Sequence, residues 1–285
     1  MKEENLKLLK RKIGKDAEVV SNLVGGMMNE AYIVKSSKGK FVYYISTAQA
    51  NEMVNRKLEK ETQRIAFKLG ITSKNIYFDL KKGIKINGFL EGFSLNLLKK
   101  YDYKEIAKLM LTFHSSKKKA SVYYDPLTRL ANYKNEAETH TQKFDKEFYE
   151  LYKLILDNKD FLLSQKLTLA HNDAQRSNIV KCDDGTYKFI DFEFAANNDP
   201  IYDIGTFGND DVSEGVKLLK EYEKLTKVKD GLKRYALWRI DISLQWYLVA
   251  IIKHYRGEGK VHGFDFLAVA DHFLKNAIEA RKLLK

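Results

Sequence analysis

One cysteine, Cys182, is all the thiol this 285-residue chain has. An internal disulfide is therefore excluded, and so is a cysteine-based metal cluster, so nothing argues for an oxidising compartment. Long apolar runs are missing too. The longest near the C-terminus, 247–252, is far too short to cross a bilayer, and the charged start Met1-Lys2-Glu3-Glu4-Asn5 lacks the apolar centre of a signal peptide. Internal repeats and low-complexity linkers are also absent. The expectation is a cytoplasmic protein with no membrane span.

Hydrophobic residues make up 44% and aromatics 12%, enough for a substantial core, so the 31% of charged residues belong to the surface rather than to disorder. A formal charge of +12 raises the question of nucleic acid. The lysines, however, are scattered in short runs such as Lys99-Lys100 and Lys117-Lys118-Lys119, so no nucleic-acid partner is expected. Attraction of a nucleoside triphosphate is a simpler use for the charge.

Residues 1–13 space their leucines helically. The segments 19–24, 31–34 and 41–45 have strand character and flank Gly25-Gly26-Met27-Met28-Asn29, where glycines let backbone amides approach a phosphate without a Cβ in the way. Helical spacing returns over 52–69 and stops at Gly70. A second hairpin, 76–78 with 84–90, leads into Asn87-Gly88-Phe89-Leu90-Glu91-Gly92. Beyond it the helical pattern covers 103–114, 126–156, 232–255 and 264–284. His114 falls on the apolar side of the first of these and is assigned no chemistry.

The chain is organised around 171–193. Leu167-Thr168-Leu169-Ala170 fits a buried strand, and Asp183-Asp184-Gly185 turns a hairpin that ends in Tyr187-Lys188-Phe189-Ile190. His171-Asn172-Asp173-Ala174-Gln175-Arg176-Ser177-Asn178 precedes that hairpin and Asp191-Phe192-Glu193 follows it. Folding the hairpin back can gather Asp173, Asn178 and Asp191. Mg²⁺ takes one or two protein oxygens plus phosphate oxygens, which suits Asn178 and Asp191 and leaves Asp173 for substrate. This is the logic of kinase-like phosphoryl transfer.

These motifs, followed by Asn198-Asp199-Pro200-Ile201-Tyr202-Asp203-Ile204-Gly205, resemble the central signature of the choline/ethanolamine kinases, within the aminoglycoside phosphotransferase-like superfamily. The resemblance implies an α/β (α+β), two-lobed protein-kinase-like fold. Residues 1–88 would form a sheet-rich lobe and 89–285 a mainly helical one, with nucleotide in the cleft. It implies an ATP- and Mg²⁺-dependent kinase for choline or a related amino alcohol. Another hydroxylated acceptor (aminoglycoside, sugar, thiamine) or a catalytically weakened nucleotide-binding relative are the alternatives.

The roles carried over are these. Asp173 is the base; Asn178, Asp191 and Glu193 are the metal set, Glu193 facing either the second metal or the substrate cation. Gly25, Gly26, Asn29, Glu59, Gly88, Leu90 and Ile190 bind nucleotide, and Gln175, Tyr202, Trp246 and Phe266 bind the acceptor. His171 and Asp203 brace the loop. Two departures stand out. The third-strand basic residue that pairs with Glu59 falls on Tyr44, so Lys35, Lys38, Lys40 or another lysine must substitute, or catalysis is weakened. The second tryptophan of the cation cage, three residues after Trp246, is Val249.

Overall fold

The computed structural model describes residues 2–23, 29–259 and 263–285. Gly25 and Gly26 lie outside the described residues. The chain divides into two compact units, Met1–Tyr101 with Ser177–Ala195, and Asp102–Arg176 with Ala196–Lys285.

The first unit is built on a five-stranded antiparallel sheet. Its strands are β1 (Glu18–Leu23), β2 (Asn29–Ser36), β3 (Gly39–Ser46), β4 (Asn75–Asp79) and β5 (Ile84–Gly88), in the order β1-β2-β3-β5-β4. Helix α1 (Glu3–Ile13) buries Leu9 and Ile13 in a core with Val34, Phe41, Tyr43, Ile84 and Ile86. Burying aliphatic side chains of this size contributes roughly 1.5–3 kcal/mol each. The alternation of strand residues sends Tyr43 and Ile86 into this core and turns Tyr44 and Lys85 to the opposite face.

The helical pattern read over 52–69 as one element is in fact two: α2 (Ala48–Met53) and α3 (Arg56–Lys68). Asn55 separates them, accepting from the Leu58 amide at 3.1 Å. An asparagine that caps a new helix N-terminus interrupts an apolar rhythm that would otherwise run through. Strand β6 (Gly92–Ser94) then pairs with the later hairpin, β8 (Ile179–Cys182) and β9 (Tyr187–Phe189).

The second unit is mostly helical: α4 (Tyr103–His114), α5 (Pro126–Glu138), α6 (Lys146–Asp157), α7 (Lys159–Leu163), α8 (Pro200–Phe207), α9 (Val212–Leu225), α10 (Gly231–Tyr255) and α11 (Phe266–Lys282). The pattern over 126–156 is likewise divided, into α5 and α6. Asp125 and Asp199 cap α5 and α8, each with proline at the first helical position. Two short strands, β7 (Thr168–Ala170) and β10 (Ala196–Asn198), pair antiparallel. The 25-residue α10 is buried along most of its length and packs against α5, α8 and α11.

Candidate active site

In the first unit a charged cluster occupies the face of the sheet opposite α1. On α3, Arg56, Glu59 and Gln63 are buried together at a spacing that puts them on one side of the helix. Glu59 accepts a hydrogen bond from Arg56 Nη1 at 2.8 Å, and its other oxygen pairs closely with Lys85 Nζ. Lys85 joins this cluster and was not singled out from the sequence. Its ammonium lies 3.7 Å from Asp191 Oδ1 and 3.7 Å from Glu193 Oε1, with the Tyr44 ring centroid at 5.0 Å. Lys35 and Lys38 are exposed, and Lys40 pairs with Glu91. The only sequence signal for Lys85 was a lysine between two apolar residues of an inner strand, Ile84-Lys85-Ile86.

Glu193 does not stand open. Arg56 Nη1 reaches its Oε1 at 2.9 Å, and Asn29 Nδ2 donates to the same oxygen at 2.7 Å. Burial opposes its ionisation, but Lys85, Asn29 and Arg56 prevail and hold its carboxyl below the usual range. Asp191 goes the other way. Burial first, then the charges of Glu193 and Glu59, push its carboxyl up against the pull of Lys85 and Arg56. Its Oδ1 is buried and accepts no hydrogen bond among the described residues, and its backbone sits in the left-handed region at φ 61°. A non-glycine residue held there is uncommon and is held by its surroundings.

The hairpin brings Asn178 and Asp191 near each other through the backbone. The Ile190 amide donates to the Asn178 carbonyl at 3.0 Å, one residue from Asp191. At the end of β5, the Gly88 amide bonds to the Lys74 carbonyl at 2.9 Å and the Phe89 amide to the Lys40 carbonyl at 3.0 Å, immediately before Leu90.

In the second unit the loop after β7 hangs on one buried carboxylate. Asp203 Oδ2 accepts from the His171 amide at 2.8 Å, Oδ1 from the Asn172 amide at 2.7 Å, and the His114 ring donates to Oδ2 at 2.9 Å. Burial works against this charge, yet the hydrogen bond and charge of His114, with His171, keep the carboxyl below its ordinary range. His114 thus has a partner of consequence, and its other nitrogen meets the Tyr222 hydroxyl at 2.8 Å. Asn172 is left-handed, φ 63°, and its side chain accepts from Asn198 at 2.8 Å. This turn presents Asp173, partly exposed, to which Gln175 Nε2 donates at 3.1 Å.

The aromatic residues expected around the acceptor fall in separate groupings. Tyr202 is buried between Tyr124, 5.5 Å away, and Trp238, 5.4 Å away, and Trp238 donates its indole N–H to Asp199 at 2.7 Å. Trp246 stacks on Phe273 at 5.6 Å, while Phe266 packs on Phe264 and lies beneath Lys253. Trp246, Phe266 and Val249 are each partly exposed. Asp241, fully buried one turn from Trp238, is a further group the sequence did not reveal; its Oδ1 accepts no hydrogen bond among the described residues and Gln245 donates to Oδ2 at 2.7 Å.

A five-stranded antiparallel sheet with a glutamate-bearing helix, a carboxylate-anchored loop carrying Asp173, and an acid closing the next hairpin define a protein of the kinase-like phosphotransferase class. The choline/ethanolamine kinase family profile matches residues 20–214. The chain belongs to the choline/ethanolamine kinase family. It is 25% identical to Protein LicA of Haemophilus influenzae over 290 aligned positions, covering 92% of this chain and 79% of that one. Among solved structures, choline kinase LicA from Streptococcus pneumoniae superposes with a TM-score of 0.74 at 24% identity, covering 99% of both chains. A choline/ethanolamine kinase family protein from Mesorhizobium loti gives 0.75 at 16% identity, with 94% of this chain and 88% of that one covered. An aminoglycoside phosphotransferase gives 0.69 at 17% identity, covering 98% and 99%. No helix among the described residues is long and apolar enough to cross a membrane.

Proposed function

We propose that this chain, an ATP-dependent phosphotransferase, transfers the γ-phosphoryl group of ATP to the hydroxyl of choline, with ethanolamine or another amino alcohol next in preference, in the cytoplasm. The observation that carries the reading is Asp191: a hairpin-closing acid with one buried oxygen that accepts no hydrogen bond among the described residues, set 3.7 Å from the ammonium of the Lys85–Glu59 pair. Family membership and the likeness to choline kinase LicA of Streptococcus pneumoniae support choline over other acceptors.

Asp173 is the base in this reading. As the acceptor oxygen attacks the γ-phosphorus, its proton passes to the Asp173 carboxylate and the bond to the leaving oxygen of ADP breaks. Base assistance of this kind contributes about 10²- to 10⁴-fold. Gln175 fixes the carboxylate's orientation by donating to Oδ1, and Asp203 fixes the loop by binding two successive amides.

The residues present suit Mg²⁺. The ion takes hard oxygen donors, which Asn178 and Asp191 would supply, whereas Glu59 and Glu193 are already held by Lys85, Arg56 and Asn29. When bound with the nucleotide it neutralises charge on the β- and γ-phosphates. Acceptor recognition falls to aromatic faces near the loop, since a quaternary ammonium donates no hydrogen bond; each cation–π contact is worth ~0.5–2 kcal/mol.

The test is ADP release from Mg-ATP across choline, ethanolamine, a sugar and an aminoglycoside. Choline-dependent turnover supports the reading; turnover with the aminoglycoside and none with amino alcohols overturns it.

A further inference from the structure

We propose that Lys85, on the inner strand β5, contacts the nucleotide phosphates, so that the cation which family members carry on the third strand has moved one strand over and left Tyr44 in its former place. The proposal rests on the kinase reading above and names a group that makes it work.

The register makes the move possible. Tyr44 and Lys85 are direct partners across the antiparallel β3–β5 pair, so their side chains leave the same face of the sheet. Directly opposed residues have Cβ atoms about 4.5–5.5 Å apart, a span that the four-carbon lysine stem covers. The ammonium therefore reaches the carboxylate that a third-strand lysine would reach, and it is found paired with Glu59.

Its remaining contacts leave it a task. Asp191 and Glu193 are both at 3.7 Å, outside hydrogen-bond range, so only one of the three ammonium protons has a close acceptor among the contacts described. The nearby cation that competes for the role is Arg56, and it is spent. Nη1 serves Glu59 and Glu193, Nε donates to Asn51 at 3.2 Å, and Nη2 bonds the Ser46 hydroxyl.

Charge gives the same answer. Among the described residues the cations facing Glu59, Asp191 and Glu193 are Lys85 and Arg56, a surplus of acid that needs at least one cation to remain charged where phosphate arrives. Although burial alone would lower it, the three acids hold the Lys85 ammonium above its ordinary range. Tyr44 lends its ring face to that ammonium and, with its own phenol pushed up by burial, adds no charge of its own.

An acyl-phosphate derivative of ATP tests this on the unaltered chain. The lysine nearest the phosphates attacks the acyl carbon, an amide forms, and the nucleotide leaves. Labelling at Lys85 that excess Mg-ATP suppresses is expected. Suppressible labelling at Lys35, Lys38 or Lys40 instead overturns the proposal. If Mg-ATP neither suppresses labelling nor raises the Tm, nucleotide binding itself fails, and the kinase reading falls with it.

Exchange of the pair supplies a second readout. Lys85→Met should lower kcat by ~10²-fold or more, as losing one preorganised charge-stabilising group does. Tyr44→Lys combined with Lys85→Tyr should recover at least ~10-fold of that loss, because it restores the cation to a facing position. Lys85→Met turning over like the wild type, or a folded double variant no better than Lys85→Met, overturns the relocation.

Discussion

Tyr44 and Lys85 face each other across β3 and β5, and the lysine ammonium sits 5.0 Å from the centre of the tyrosine ring while its charge is taken up by Glu59. A neutral phenol on the third strand therefore does not leave the glutamate without a cation. The partner stands on β5, facing Tyr44 of β3.

Two acids should fail in different ways. Asp173→Asn removes the proposed base and should abolish transfer with Mg-nucleotide affinity nearly unchanged. Asp191→Asn removes a proposed metal-ligand oxygen and should weaken both Mg²⁺ dependence and nucleotide affinity. Calorimetric titration of each variant with Mg-ATP, alongside kcat, separates the two; equal nucleotide affinity in both contradicts the assignment.

Arg56 is the staple of the cluster. Removing it leaves Glu59 and Glu193 buried beside one another with a single shared cation, so Arg56→Ala should cost about 3–5 kcal/mol in urea unfolding, the scale of a broken buried ion pair. A loss comparable to that of an exposed pair such as Lys153–Asp157 would show that Arg56 is not needed there.

Gly83 holds the turn that keeps Arg56 in place. Its φ is 63°, and an added Cβ would come within 2.6 Å of Ser46 Cβ and 3.1 Å of Arg56 Nε. Gly83→Ala should therefore destabilise by more than ~1 kcal/mol, from left-handed strain and displacement together. It should also lower activity without touching any group assigned to chemistry, which a paired Tm and kcat measurement will show.

Asp241 predicts a pH effect on stability. Burial, with a smaller contribution from Asp125, pushes its carboxyl up to about 7 against Gln245, Arg129 and Arg239, from an ordinary value of 3.8. The folded chain thus keeps a proton that the unfolded chain releases near pH 4. The stabilising protonated form is fully present below that range and is lost as pH rises through about 7. Asp241→Asn should raise the Tm more at pH ~8 than at pH ~5. Equal shifts at the two pH values contradict this.

Trp246 bears on the acceptor. If its partly exposed face meets the choline cation, Trp246→Ala should raise the choline KM at least ~10-fold, with kcat much less affected. An unchanged KM would move the cation subsite elsewhere in the helical unit, toward the Tyr124–Tyr202–Trp238 group.

Much of this was readable in the sequence because short-range rules govern it. The Asp183-Asp184-Gly185 turn, the strand ending at Phe189 and the helix starting at Pro126 follow from local chemistry, while the fold class followed from the family resemblance of the central motifs. Asn55 and the segment between Glu138 and Lys146 break helices whose apolar spacing hides the break. Lys85 was invisible for a different reason. Nothing local distinguishes a lysine that turns inward from one that reaches solvent; only the pairing of β5 with β3, and the carboxylate waiting on α3, decide it. Asp241 is similar, since its burial depends on α5 and α8 closing over α10.

Phosphoryl transfer to choline is tested most simply by mass spectrometry of choline incubated with the chain and Mg-ATP. Phosphorylated choline and matching ADP are expected with the wild type, and neither with Asp173→Asn. Unmodified choline beside a phosphorylated acceptor of another class, or Asp173→Asn turning over like the wild type, would contradict it.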